Sequence, residues 1–551
     1  MKKLNRRFCA LMLGGMLAAI PLLAEEQDLA GKLVDRIVAG EQEFLAAMKE
    51  QRPILETYLQ ETGLVPGGET PVTTDHYMIG RLDLSRGVGH VPFVLSPGFQ
   101  KPRGRKLLRF WRRNVPQFFM PRGFAQMVVL DAGDFNRETY RFDYVRREFL
   151  GEVRTLVFDV APKNEKAAGK FIGRIWVEDR DHRIVRFNGT YTNSTPDSLF
   201  FHFDSWRLEA APAFWAPAFV YVEDANIGRR DGSELRFKAQ TRLWGYRADR
   251  GDKLQELTDI LVGASANLKD ESPVENVSPL ESQRAWARQA EENVVQRLEK
   301  SGLLAATGEV DAVLDTVVQN LMVTNGIQLD IRCRVLLTTP LETFSIGQAI
   351  VISRGLLDVL PDEASLAMVL SDELAHIVLG HRTETMYAFS DQTMFADEEV
   401  LERLRLSRTP EEMAAASRKA VEILARSPYK EKLSNAGLFL KALASRAPVL
   451  PNLIQANLGN QLASGDKLPR LGELAGEGAV LDEEQIDQIA ALPLGSRIRL
   501  DPWTNRIQLI KAKPVELRAA RDKMPFEVTP FVIYLSRLPL SGVPAQTAKK
   551  N

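Results

Sequence analysis

The spacing of apolar residues changes along the chain and divides it into regions. Apolar side chains recur at helical spacing from Leu29 to about Glu61, so residues 25–64 are predicted to form a helical lead-in that Pro53 interrupts near its end. Beyond about Asp75, short runs alternate polar and apolar residues, as strands with one buried face do. These runs are Gln126–Leu130, Tyr140–Val145, Val153–Val160, Phe171–Val177, Ile184–Tyr191, Trp215–Val222 and Leu235–Trp244. They predict a curved antiparallel β-domain over residues 65–265.

The second half of the chain is typical of helices joined by polar stretches. Residues 266–307 begin rich in Pro, Ser and Glu and continue as a polar helix, which predicts a helical linker. Helical patterns dominate residues 308–468, and Gly and Pro punctuate residues 469–551, a predicted small C-terminal α+β module. The predicted fold class is α+β and multidomain, with a curved antiparallel β-domain, a mainly helical domain and a small C-terminal α/β piece.

The N-terminus resembles a secretory signal peptide. Four basic residues among the first seven precede an apolar run from Phe8 to Ile20, so residues 1–24 are predicted to be a leader and the mature protein to be exported, into a periplasm. No later stretch approaches the ~20 apolar residues of a membrane span. Cys333 is then the single cysteine of the mature chain, which excludes an internal disulfide and fits a bacterial periplasm.

The charge composition gives no indication of a nucleic-acid partner. The formal net charge of the whole chain is −1, and hydrophobic and charged residues make up 45% and 26% of it, as in ordinary globular proteins. One basic stretch, Lys101–Arg113, is either a solvated loop or a surface for anionic lipid head groups.

Residues 371–381, Ser-Asp-Glu-Leu-Ala-His-Ile-Val-Leu-Gly-His, contain the candidate chemistry. In a His-Glu-x-x-His helix, two imidazoles four residues apart share a face and hold Zn²⁺, while the Glu polarises a metal-bound water. Here Glu373 has the water-activating position and His376 the second ligand position, but Asp372 replaces the first histidine. Glu373 is therefore the candidate catalytic residue, and His376 and Asp372 are the candidate metal ligands.

The order of segments around this helix resembles peptidase family 48. A helix (Val310–Met322) and a strand (Arg334–Thr338) precede Thr343–Leu357, which ends in Gly-Leu-Leu, and Asp362 and Glu363 then cap the next helix. The resemblance implies a zincin-like metallopeptidase domain over residues 308–468, with one zinc ion and metalloendopeptidase activity.

The resemblance also implies a third ligand, a Glu in a Glu-Ala-Asp context on a later helix. The matching helix begins at Pro410 and has Ala415-Ala416-Ser417 at that place, so this ligand is also lost in the preferred register. Glu411 and Glu412 lie one turn away and are possible third ligands in another register.

Three interpretations of the site stay open. Asp372 can be an oxygen ligand in a weakened site for zinc or a harder metal such as Mn²⁺, completed by Glu411, Glu412 or an acid within Asp391–Glu399. Alternatively the site binds no metal and the domain binds partners. In the third, the motif is coincidental core packing.

His381 follows His376 by five residues and has turned about 140° around the helix, so it is a possible accessory residue and more often a packing residue. The other histidines of the mature chain have no ligand spacing and are expected to be structural or solvated; they are His76, His90, His182 and His202.

The β-rich hairpins resemble the lipoprotein-carrier fold of LolA and LolB, an open β-barrel around a helix. The segments with this resemblance are Tyr140–Tyr144, Val157–Pro162, Gly173–Glu178 and Arg183–Phe187. The resemblance implies an apolar concavity for an acyl chain or an unfolded segment. A filled β-core that serves as a scaffold is the alternative.

These features predict an exported metallopeptidase-family-48-like protein for envelope proteolysis or quality control, with an impaired zinc site. If the site were active, Glu373 would take a proton from the metal-bound water and pass it to the leaving amine. The alternative is a non-catalytic periplasmic chaperone or adaptor for outer-membrane or lipidated clients. Expected partners are protein or peptide substrates or clients, with lipid or lipoprotein contact through the β-domain, and the cofactor is one zinc ion or none.

Overall fold

The structure is a computed structural model of the chain. It describes residues 31–62, 72–93, 124–192, 201–228, 234–246, 279–383, 404, 406–456, 458–463, 467–482, 485, 488–489, 492–511, 526–530 and 533–537. The predicted signal peptide, the basic stretch Lys101–Arg113 and the acids of Asp391–Glu399 lie outside these residues. The chain divides into two compact units, the first from residues 1–50, 126–217 and 532–551 and the second from residues 51–125 and 218–531.

The strands are β1 (Ile54–Thr62), β2 (Val72–Asp83), β3 (Gly89–Pro92), β4 (Tyr140–Leu150), β5 (Val153–Pro162), β6 (Phe171–Glu178), β7 (Ile184–Tyr191), β8 (Phe203–Ala211), β9 (Phe214–Gly228), β10 (Glu234–Trp244), β11 (Arg332–Leu336), β12 (Thr343–Ile346), β13 (Ala349–Ser353), β14 (Ile498–Leu500) and β15 (Ile507–Leu509). The helices are α1 (31–49), α2 (Pro279–Lys300), α3 (Glu309–Asn325), α4 (Arg354–Val359), α5 (Glu363–Val378), α6 (Pro410–Ala425), α7 (Leu433–Arg446), α8 (Pro451–Ile454) and α9 (Gly472–Glu477). None of the described helices combines the length and apolar character that crossing a bilayer requires.

The first unit is an antiparallel sheet that a helix covers. Its strands follow the order β8-β7-β6-β5-β4, and the predicted turn between β6 and β7 is confirmed, with His182 at a φ of 56°. Helix α1 buries Ile37 and Phe44, and its buried Glu41 pairs with Arg207 of β8 at 2.7 Å. These contacts form a core between the sheet and α1 in the first unit.

Two secondary-structure predictions are wrong near the first unit. Gln126–Leu130 forms a turn instead of a strand, and the Tyr191 hydroxyl lies within hydrogen-bond distance of the Gln126 and Val129 carbonyls, at 2.7 and 2.6 Å. The helical lead-in ends at residue 49, and β1 follows Pro53 as a strand. Strand β1 is buried along both faces, so it lacks the polar and apolar alternation that marks a half-exposed strand.

The second unit combines an antiparallel sheet, a small sheet and a helical layer. The order β3-β2-β1-β10-β9 is antiparallel throughout, while β13 pairs in parallel with β11 and antiparallel with β12. Helices α3, α6 and α7 pack against α5, which is buried along most of its length. The α+β fold class predicted from the sequence is confirmed, and the sequence-based domain boundaries stay predictions.

The Gly-Leu-Leu turn before α5 has a structural reason for its glycine. A Cβ atom on Gly355 would lie 1.7 Å from the carbonyl oxygen of Thr339, so no other residue fits without moving the backbone. The neighbouring Arg354 is fully buried and pairs with Glu56 of β1 at 2.9 Å. The start of α4, which lies between β13 and α5, is therefore fixed within the second unit by a close backbone contact and a buried ion pair.

Candidate functional site

Helix α5 places the three candidate residues of the motif together in the core of the second unit. Asp362 begins the helix, because its side chain accepts a hydrogen bond from the Ser365 amide at 2.8 Å. Residues four apart share a helix face, and Asp372 and His376 are both fully buried, while Glu373 is 2% exposed. The predicted helix and its predicted cap are confirmed.

A guanidinium lies directly against both acids of the motif. Arg470, which is fully buried, donates from Nε to Asp372 Oδ2 at 2.6 Å and from Nη2 to Glu373 Oε1 at 2.5 Å. Its Nη1 atom donates to Thr343 Oγ1 at 3.1 Å and to the Asn460 carbonyl at 3.2 Å. A side chain of this protein therefore supplies the positive charge beside the two motif acids.

Two hydroxyl groups complete the hydrogen bonding of the acids. Thr343 of β12 donates to Glu373 Oε1 at 2.9 Å, and Ser417 of α6 donates to Asp372 Oδ1 at 3.3 Å. Ser417 also accepts from the Leu471 amide at 3.1 Å, which holds the segment carrying the arginine against α6. Asp372, Glu373 and their three partners form a closed network, which we call the Arg470 network.

Burial and the guanidinium have opposite effects on the pKa values of the acids. Burial has the largest single effect on Glu373 and raises its pKa, but Arg470 together with the other neighbouring groups outweighs burial, and the pKa lies below its usual value. For Asp372, burial prevails over Arg470, and the adjacent charge of Glu373 adds to it, so its pKa is raised. The two acids outweigh the effect of burial on Arg470 and raise its pKa. Two acids with oppositely shifted pKa values therefore share the one positive charge of Arg470.

His376 contacts His381. The Nδ1 atoms of the two rings lie 2.9 Å apart, so one donates to the other. Burial lowers the pKa of His376 to about 4, which makes it neutral at neutral pH. Its Nε2 atom is buried and has no hydrogen-bond partner among the described residues. His381, predicted as a possible accessory residue, therefore forms a hydrogen bond with His376.

The edge of strand β12 is also covered by the chain itself. Asn460 forms an antiparallel bridge with Thr343, and a Cβ atom on Gly459 would lie 2.5 Å from the Thr343 carbonyl oxygen. Further along the strand, Arg408 donates to the Ser345 carbonyl at 3.1 Å. An open strand edge can bind an extended peptide by main-chain hydrogen bonds, and here segments of the same chain make those contacts.

The side chains present do not fit a zinc ion. A zinc site needs at least three protein ligands, and the carboxylates of Asp372 and Glu373 both bind Arg470. Glu411 is exposed, and Glu412 binds the Thr409 amide in the capping box of α6. Within the described ranges no three His, Cys, Asp or Glu side chains are grouped as a metal site. We therefore derive no catalytic step through a metal.

Sequence reasoning missed Arg470, the residue with the largest effect on the site. The preceding proline and following glycines made residues 469–478 resemble a linker, and the arginine is 98 residues from Asp372. The one local signal was the loss of the first histidine. Exchange of a metal ligand for an acid implies that another positive charge balances it.

The helical part of the site matches a known family. Residues 311–419 match the family model of Peptidase family M48, about a fifth of the chain. The resemblance drawn from the sequence is thus confirmed for the segment that contains α3, β11–β13, α5 and the start of α6. Arg470 lies outside the matched segment.

Two solved structures are similar to part of the chain. A DUF1329 family protein from Desulfovibrio piger shares 10% identity, with 38% of this chain and 92% of that chain covered and a TM-score of 0.17. A LolA superfamily protein from Nitrosomonas europaea shares 11% identity, with 37% and 94% covered and a TM-score of 0.16. The second belongs to the superfamily that the hairpins resemble, but scores this low carry no argument about function. None of the curated proteins matches this chain.

Proposed function

We propose that this protein is an exported, non-hydrolytic relative of family M48 peptidases, whose peptidase-like domain binds client polypeptides of the cell envelope. The observation that carries the proposal is the guanidinium of Arg470 against Asp372 and Glu373. Export rests on the leader-like residues 1–24.

The loss of hydrolysis follows from what Glu373 has to do in such a peptidase. As a general base it must face a water molecule and have a free oxygen to accept the proton. One oxygen of Glu373, Oε1, already accepts hydrogen bonds from Arg470 and Thr343, and the residue is 2% exposed, which leaves its carboxylate little access to water. The lowered pKa of Glu373 also weakens it as a base. Both properties favour a structural role.

One observation favours the hydrolase as a second candidate. Nε2 of His376 is buried without a hydrogen-bond partner in the described part of the chain, and an imidazole nitrogen is a good zinc ligand. For this atom to take part in a metal site, Arg470 would first have to leave both acids.

The test is the metal content of the full chain without residues 1–24, purified without chelator and compared with His376→Ala. We expect no stoichiometric zinc in either protein, and no cleavage of unfolded casein after zinc is added. Near-stoichiometric metal that His376→Ala loses, together with cleavage that a chelator stops, would refute the non-hydrolytic proposal.

A further inference from the structure

A cleft lies beside the Arg470 network in the second unit. It has a volume of about 770 Å³, within the roughly 300–1,000 Å³ typical of ligand sites. One wall is a face of α2, and the other consists of side chains from β11, the turn between β12 and β13, and the end of α5. His381 lines the cleft and also contacts His376, which lies on α5 with Asp372 and Glu373 of the network.

The α2 wall is long enough for an extended peptide. Its lining residues include Arg284, Arg288, Glu291, Val295 and Glu299, which recur every three or four positions and therefore share one helix face. From the first to the last of them, a helix rises about 22 Å at 1.5 Å per residue. An extended chain covers that length with about six or seven residues.

Exposed positive charges occur on both walls. Arg284 and Arg288 on α2 have no hydrogen bond or ion pair with another described residue, whereas the charge of the exposed Arg382 beyond α5 acts on Glu291 and works to lower its pKa. The arginines of β11 differ, because Arg334 pairs with Glu299 at 3.2 Å and Arg332 with an aspartate at 3.6 Å. The guanidinium groups of Arg284 and Arg288 are therefore available to an acidic ligand, and Arg382 is an exposed third one that also interacts with Glu291.

The rest of the lining favours a peptide over a lipid surface. Val295 and Ile377 supply apolar contacts, while Glu291 and Glu292 place negative charges that an anionic membrane would meet. A peptide can direct its carboxylates to the arginines and its apolar side chains to the aliphatic residues. A flat array of lipid head groups cannot avoid the acids in this way.

We propose that the cleft binds an extended acidic segment of a client polypeptide. The inference rests on the proposed function, because a peptidase-like domain whose acids and strand edge are occupied by its own chain must hold clients at another surface. Carboxylates of the segment bind Arg284, Arg288 and Arg382, and its apolar side chains pack on Val295 and Ile377.

The test is fluorescence anisotropy of the full mature chain with three labelled eight-residue peptides, in which Leu alternates with Glu, Gln or Lys. We expect the Glu peptide to bind most tightly and to weaken with salt. The double exchange Arg284→Glu/Arg288→Glu should weaken it about tenfold, because it reverses two charges at the rim of the cleft. Arg418→Glu, an exposed position on α6 outside the cleft, is the matched control and should leave binding unchanged.

Several results would overturn the proposal: no binding of the Glu peptide, equal binding of the Gln or Lys peptide, or an unchanged affinity in the double variant. Sedimentation with phosphatidylglycerol vesicles examines the lipid alternative, and vesicle binding that the double variant abolishes would also overturn it. The peptide-binding results can be distinguished from the results of the zinc and casein test of the proposed function. A chain that proves to bind zinc and cleave casein refutes the non-hydrolytic proposal, while the peptide preference depends on the cleft alone.

Discussion

Replacing Arg470 by methionine removes the cation of the Arg470 network and keeps most of the side-chain volume. Asp372 and Glu373 then remain adjacent and buried, with hydroxyl donors but no positive charge in contact. Breaking a buried ion pair by removing one partner costs about 3–5 kcal/mol, because the other partner stays charged in the interior. Two acids lose the same cation here, so we expect a loss near the upper end of that range.

The loss should also depend on pH with a definite sign. Without Arg470 the pKa values of both folded-state acids rise above their unfolded values, since burial and mutual repulsion act unopposed. Such groups destabilise the folded state progressively as pH increases from the unfolded pKa towards the folded pKa. The variant should therefore lose more stability at pH 8 than at pH 5.

Hydrogen exchange of the amides in α5 is the suitable assay, because a chain with two compact units need not unfold in one step. Arg418→Met, an exposed arginine on α6, is the control and should change the free energy of opening by no more than about 0.5 kcal/mol. Adding Asp372→Asn and Glu373→Gln to Arg470→Met should recover most of the loss, because neutral groups replace the unpaired charges. A loss below about 1 kcal/mol in Arg470→Met, or no recovery in the triple variant, would refute the reasoning.

The remaining predictions concern single groups. The pKa of His376 is about 4 in the folded chain and about 6.5 unfolded, so the free energy of unfolding should fall by up to about 3 kcal/mol as pH drops from 6.5 to 4. In urea titrations at several pH values, His376→Gln should show a weaker dependence of this free energy on pH. An equal dependence would contradict the assignment. Asp372→His alone should bind no stoichiometric zinc, whereas Asp372→His with Arg470→Ala and Ser417→Glu should bind it in metal analysis; zinc in the single variant would show that the arginine does not block the site. Glu41→Ala should cost about 3–5 kcal/mol in the first unit by leaving its arginine partner buried and unpaired, and unchanged hydrogen exchange in α1 would argue against that pair.

The sequence predicted elements whose pattern is local. Strands β4 to β7 coincide with local runs that predicted strands, and the cap of α5 consists of Asp362 and Glu363 next to each other. Strand β1 was missed because both its faces are buried, so its apolar positions are compatible with a helix as well as a strand.

The candidate site was predicted only in part for a related reason. Asp372, Glu373 and His376 follow one another on one helix, and helical spacing brings them together. Arg470 joins them through the tertiary fold, from a segment whose composition is typical of a linker. Sequence spacing reports contacts within a few residues, and it contains no information on a side chain that arrives from 98 positions away.

The covered edge of β12 has a consequence for how the chain folds as it is made. Strand β12 is synthesised well before the segment that covers it, because Gly459, whose backbone lies against it, and Glu342, just before its first residue, are 117 residues apart. Until that later segment emerges, the strand has unpaired backbone groups along one edge, and such edges associate with other chains. The nascent protein therefore passes through an aggregation-prone stage that ends only when the segment around residue 460 docks, and truncation before that point should produce insoluble protein.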